Sequence, residues 1–273
     1  MNPLVIGGLL AALAAIVIST FMDGNSLGVL VGPSSFVLVF LGSLGAAVIS
    51  YDLADVKRVP AAVLRAFKGA PADSDRTIDT LLRMAEIARR DGLLALEKQL
   101  AGVDDRFIQS GLQLIADGVE VDTVRQMLEI DIAALDERHR SMFSLFESLG
   151  SYAPTFGMMG TVIGLINMLG NLSDPSQLGL GMSLALLTTL YGVLFANLFY
   201  LPIGARLKRL NAQELSVRDM ALDAMLSIQE GMSPRVLVDR LEAYLPVSQR
   251  LGYGGRMDRP QLVDASGPAT EAA

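Results

Sequence analysis

The sequence predicts an all-α membrane protein, four transmembrane helices in two hairpins with a helical cytoplasmic insert between the second and third spans. Three observations predict it. Mean hydropathy is +0.44 over 273 residues, of which 51% are hydrophobic and 19% charged, a balance that suits a chain partly in lipid and partly in water. Four windows, Pro3 to Phe21, Val29 to Ser50, Tyr152 to Leu172 and Leu180 to Ile203, contain no Asp, Glu, Lys, Arg or His, and each meets the roughly 20 apolar residues that a bilayer core demands. Every one of the 22 Lys and Arg residues lies either between Tyr51 and Arg140 or after Ile203. By the positive-inside rule both long polar segments and both termini are then cytoplasmic, with Lys57, Arg58, Arg138, Arg140, Arg206, Lys208 and Arg209 beside membrane ends.

The first hairpin covers residues 1–50. A signal peptide is the rival reading of its first window. Such a segment opens on positive charge, whereas no Lys or Arg precedes Pro3, and a second apolar run follows the turn-like Asp23-Gly24-Asn25-Ser26. The window therefore reads as a retained helix.

The insert covers residues 51–150. Within it RTIDTLLRMAEIARR sets Ile78, Leu81, Leu82, Ala85 and Ala88 at the three-and-four spacing of an apolar helix face. Asp91-Gly92 stops this helix, with Arg89 and Arg90 in its last turn, where positive charge suits the dipole. LLALEKQL and RFIQSGLQLIADG continue the helical pattern, and the stretch from Val121 is expected to run as one long helix into the third span. After the second hairpin, residues 151–203, come cytoplasmic helices over 204–250 and, from Leu251, a Gly-, Pro- and Ala-rich tail expected to be disordered.

The second hairpin carries APTFGMMGTVIGLI, an apolar run with a proline, three glycines and two threonines. In water that composition is costly for a helix, about 1 kcal/mol per glycine and 3 for an interior proline. In lipid, helices associate by close packing, which favours small residues, and neighbours re-satisfy a carbonyl freed by proline. Gly157, Gly160, Thr161 and Gly164 share one face of span three, and Gly181, Ala185, Thr188, Gly192 and Ala196, with Thr189 alongside, repeat the arrangement on span four. Each span has a proline toward its cytoplasmic end, Pro154 and Pro202. Two readings stand: the small face lets helices touch, each threonine bonding back to a carbonyl one turn earlier, or the paired hydroxyl stripes border an ion path. An ion path needs an ionisable group in the membrane. This chain supplies none there, so the carboxylate must come from another polypeptide. Glu147, one to two turns before Pro154, is either a guard at the cytoplasmic mouth or a solvated interfacial carboxylate.

Absence of cysteine removes disulfides and thiolate chemistry, and a single histidine, His139, argues against a His-based metal site or a triad. A net charge of -7 argues against nucleic acid. No serine with a base, carboxylate pair or metal spacing lies near a membrane face, which disfavours an enzyme.

The order of hairpin, large cytoplasmic insert, hairpin and cytoplasmic tail resembles the A subunit of the bacterial flagellar stator, the MotA and PomA family. The likeness is carried by GPSSFVLVFLGSLGAAV in span two, ARRDGLLALE in the insert, YAPTFGMMGTVIGLI with LLTTLYGVLFANLFYLPI in spans three and four, and MSPRVLVDRLEAYLP near the end. Leu41-Gly42-Ser43 departs from the family's frequent GGT and touches packing more than mechanism.

The resemblance implies a homo-pentamer in the inner membrane lipid around single-span B subunits of the MotB or PomB type, whose membrane aspartate carries the ion. Ion flow then drives rotation against the rotor protein FliG, supporting motility and chemotaxis. By position, Arg89 and Glu97, with Arg90 and Lys98 adjacent, match the rotor contacts, and Pro154 and Pro202 match the coupling prolines. No cofactor is implied beyond the transported Na+ or H+. Sodium exchanges its water shell for several oxygen ligands. Thr161 and Thr189, near mid-membrane on antiparallel spans, are candidate transient ligands, with Thr188 and Gly160 beside the same path. The sodium-driven PomA branch resembles this sequence at Thr161 and Thr189, which favours sodium over the proton. An energiser of the ExbB and TolQ type is the alternative. Those chains place one helix before the cytoplasmic domain, and here two precede it.

Overall fold

The computed structural model describes residues 3–24, 26–69, 73–171, 173 and 175–257. Ten α-helices follow in order among them: α1 (Pro3–Met22), α2 (Pro33–Val48), α3 (Leu53–Lys68), α4 (Ser74–Asp91), α5 (Arg106–Ala116), α6 (Val121–Gly170), α7 (Pro175–Leu194), α8 (Leu201–Gln229), α9 (Pro234–Glu242) and α10 (Gly252–Met257). Among the described residues the regular elements are all helical. Among the described residues three stretches are long and apolar enough to cross a membrane, Leu27–Val48, Val121–Gly170 and Leu178–Gln229, and Gly7–Met22 is a shorter apolar helix. The stretch expected to continue from the insert into span three is indeed one helix, the 50-residue α6.

The chain divides into two compact units, Met1–Pro71 with Ala134–Gln213, and Ala72–Ala133 with Glu214–Ala273. These borders differ from the segment borders at 51 and 150 drawn from hydropathy, because α3 and the residues after Ala134 pack with the apolar helices. In the first unit α2 packs on α7. Ser35, Val39, Ser43 and Ala47, spaced by four, form the buried stripe of α2. The Tyr191 hydroxyl donates to the Leu30 carbonyl at 2.6 Å and accepts from the Gly32 amide at 3.0 Å. Phe36, Phe40, Tyr191 and Phe195 form an aromatic cluster, which fixes the two helices by shape as well as area.

The second unit has a hydrophobic core of its own. Ile78, Leu81, Leu82 and Ala85 of α4 are buried as the periodicity requires, while Ala88 is half-buried. Ile78, Leu81 and Ala85 form one cluster with Leu112 and Ile115 of α5, Met225 of α8, and Leu237 and Leu241 of α9. Asp73 caps α4 through the Arg76 amide, and Asp105 caps α5 through the Phe107 amide at 2.8 Å, each satisfying an otherwise orphan donor. At the end of α4, Gly92 adopts φ +87°, which any residue with a Cβ resists. The chain leaves that turn as a 3-10 helix, Leu93–Gly102, where an α-helical continuation was expected. Its Leu96 and Leu100 are buried.

The tail expected to be disordered from Leu251 begins instead with α10. Residues 258–273, the rest of that expected tail, and Asp174 of the short loop before α7 lie outside the described residues. Arg256 is the anchor of α10: its Nε donates to Glu242 at 2.6 Å, Nη1 to Asp79 at 3.0 Å and Nη2 to Asp75 at 3.1 Å. Burial opposes ionisation of Glu242, but the Gly252 and Leu251 amides and the guanidinium together hold its carboxyl below the usual carboxylate value of 4.5. A carboxyl depressed in the folded state stabilises it above the unfolded value and loses that contribution as pH falls through the folded one. Protection of the α10 amides, measured relative to their intrinsic exchange rate at each pH, should therefore hold from neutral pH into the carboxylate range and be lost only as pH falls through that lowered value. Release of α10 on raising the pH from neutral to 9 would contradict this account.

Candidate functional site

The small faces of α6 and α7 meet each other inside one chain. A Cβ placed on Gly160 would lie 2.5 Å from the Thr188 Cβ, and one on Gly157 would lie 3.0 Å from the Thr188 carbonyl oxygen. Farther along, a Cβ on Gly164 would lie 2.7 Å from the Ala185 amide nitrogen and the Gly181 carbonyl oxygen, and one on Gly192 would lie 2.7 Å from the Ala153 carbonyl oxygen and 3.1 Å from the Pro154 Cα. The seam continues where Gly150 meets Leu201 and Gly204 meets Phe146. Backbones approach this closely only where no side chain intervenes, which is the packing that lipid-embedded helices favour.

This geometry sets two of the ion-path candidates in the contact between the helices. Gly160 is buried against Thr188, and Thr188 is 0% exposed with its hydroxyl bonded to the Ala185 carbonyl at 2.9 Å and the Leu184 carbonyl at 3.0 Å. Both residues therefore belong to the intrachain seam. A small-residue face marks a close approach, and spacing alone does not say which helix makes it.

Thr161 and Thr189 stand beside that contact, each one residue along its helix, and both are half-buried. Thr161 donates to the Met158 carbonyl at 2.6 Å and Thr189 to the Ala185 carbonyl at 3.3 Å. Each hydroxyl hydrogen is committed to its own backbone, so the hydroxyl oxygen has lone pairs directed elsewhere. An oxygen in that condition can ligate a hard cation. Thr155 lies nearer Pro154, exposed, bonded to the Ser151 carbonyl at 3.3 Å.

Both prolines sit in continuous helix. Pro154 leaves α6 unbroken, although it has no amide to give the carbonyl one turn back. Pro202 follows a π turn, Phe195–Tyr200, in which the Leu201 amide reaches back to the Ala196 carbonyl. Asn197 on this turn was not among the sequence-derived candidates: it is exposed, with its amide nitrogen donating to the Val193 carbonyl at 2.9 Å. An uncharged amide in an apolar run gives little hydropathy signal. Glu147 pairs with Lys208 at 3.5 Å and is 47% exposed, so its charge is shared at a wet surface.

In the second unit, Arg89, Arg90, Glu97 and Lys98 are all exposed, the first two at the end of α4 and the others on the 3-10 helix. Arg90 is held by Asp91 through Nε at 3.0 Å and Nη2 at 2.9 Å, which strengthens its hold on the proton and moderates its outward charge. Arg89 and Arg90 line a shallow open groove of about 510 Å³ with Glu86, Pro234, Arg235 and Tyr253.

Comparisons with known proteins agree with this architecture. Residues 99–220 match the model of the MotA/TolQ/ExbB proton channel family, and residues 6–92 match that of the motility protein A N-terminal region. The chain is 37% identical over 236 residues to motility protein A of Borreliella burgdorferi, covering 86% of this chain and 91% of that protein. It is 36% identical to chemotaxis protein PomA of Vibrio alginolyticus, covering 86% and 92%. The flagellar MotAB stator complex of Bacillus subtilis has a chain that superposes with a TM-score of 0.82 at 31% identity, covering 90% of this chain and 97% of that one. With both halves matched by family models and relatives aligned over most of their length, the chain belongs to the MotA/PomA family of motility proteins.

Proposed function

We propose that the chain is the A subunit of a flagellar stator that couples inward sodium flow to torque on the rotor protein FliG. The observation that carries the ion choice is the pair of half-buried hydroxyls, Thr161 and Thr189, beside a dry glycine seam. A proton would need only the partner's carboxylate, whereas sodium needs further oxygens. In this reading α1, 20 residues or roughly 30 Å long, is the fourth span, both termini are cytoplasmic, and five copies surround single-span B subunits that supply the membrane aspartate. Pro154 and Pro202 couple ion occupancy to movement. The family description names proton channels and groups MotA with TolQ and ExbB. The match of residues 6–92 to the motility protein A N-terminal model favours a flagellar stator over an ExbB-type energiser.

Swimming speed at fixed pH should rise with external sodium, and Thr161→Val should lower it severalfold more than Thr155→Val, which removes a hydroxyl near the cytoplasmic end. Speed indifferent to sodium would overturn the ion choice. A purified complex lacking any single-span partner with a membrane aspartate would overturn the stator reading itself.

A further inference from the structure

Six residues of helix are too few to persist alone in water, so α10 must be held by what it touches. Its anchor, Arg256, has a wholly enclosed side chain, 0% exposed, ringed by Asp75 and Asp79 of α4 and Glu242 of α9. Glu242 is itself occupied by the amides of Leu251 and Gly252, at 3.1 and 2.9 Å, where the chain turns into α10. One turn before Arg89 and Arg90, Glu86 accepts from the Tyr253 hydroxyl at 3.2 Å. Asp75, Asp79 and Glu86, spaced by four and seven, share one stripe of α4. Ile78, Leu81 and Ala85 carry the neighbouring face into the core. The helix is thus held on a second side by the chain's own C-terminal segment.

We propose that Arg256 is a positioning residue for torque generation: by fastening α10 across α4 and α9 it keeps Tyr253 on Glu86 and fixes the helix end that presents Arg89 and Arg90. The proposal rests on the rotor-contact reading of those two arginines. It follows from the buried guanidinium, since a charge this enclosed is stable only with its partners in place. Losing it leaves three carboxylates facing one another and frees α10. The exposed arginines would remain present, but on a helix end with a loosened support.

The experiment compares Arg256→Met and Arg256→Lys in the full chain within the assembled complex. Amide hydrogen exchange in α10 and the last turn of α4 should quicken about tenfold or more in the methionine variant, as for loss of a charged hydrogen-bond cluster. The torque added per stator at high load should fall to about half while recruitment to the motor stays normal, with lysine restoring part of it. Unchanged exchange at the end of α4 overturns the proposal. So does a variant whose only defect is fewer recruited stators, which marks a plain folding role. If the methionine variant does not accumulate, Tyr253→Phe removes only the hydroxyl to Glu86 and is read by the same two measurements. Arg89→Glu is the separate control: if it leaves torque intact, the rotor-contact reading falls, and exchange alone then decides whether Arg256 fixes the helix end.

Discussion

Gly160→Leu should abolish swimming by forcing α6 and α7 of the same chain apart. The first side-chain atom alone would sit 2.5 Å from the Thr188 Cβ and Cγ2, well inside contact distance, and the rest of a leucine has no space to enter. Overpacking a close interface costs about 1 to 3 kcal/mol or more, and here the displaced element is a whole helix. The detergent-solubilised complex should lose thermal stability together with motility. Gly170→Leu, at a position with open space around the added carbon, should retain both. A Gly160→Leu complex as stable as the parent, yet immotile, would move the effect from the intrachain seam to a neighbouring subunit.

Joint reversal of Arg89→Glu and Glu97→Lys should reduce torque severalfold in viscous medium while leaving the protein's amount in the membrane unchanged. Both side chains are exposed, so their loss costs the fold little. Contacts built on long-range charge form and release quickly, as a motor that steps many times per revolution requires. Arg90, tethered to Asp91, should matter less than Arg89 in single replacements. Undiminished torque in the double reversal would make these ordinary surface charges.

The sequence made some of this visible and hid the rest for identifiable reasons. The apolar windows and the long run of α6 were legible because hydropathy and helical period are local properties. The stop at Gly92 was legible because turn chemistry is local as well. By contrast, Leu93–Gly102 has an ordinary helical pattern, and its 3-10 winding shows only in the structure. α10 exists because Arg256 finds Asp75 and Asp79, which lie 181 and 177 residues away in sequence. The glycines of α6 and α7 share a face as their spacing suggested, but Thr161, grouped with them, stands beside it. Only the three-dimensional arrangement separated Gly160 and Thr188, locked in the seam, from Thr161 and Thr189 beside it.

The π turn between α7 and α8 has a consequence for angular phase. Along this continuous helix the buried residues run Ala185, Thr188, Gly192, Ala196, Tyr200, Gly204 and Leu207, so three successive intervals of four separate Gly192 from Gly204. In an ideal α-helix each such interval advances the face by about 40°, and three would swing Gly204 roughly 120° from the line of Gly192. One extra residue in a π turn unwinds about 100° of that. Gly192 and Gly204 therefore both stay against α6, at Ala153 and Phe146. Deleting a single residue within Phe195–Tyr200 would relax the turn to ordinary helix while keeping the same two lines in register, whereas inserting one would rotate everything beyond it off the seam.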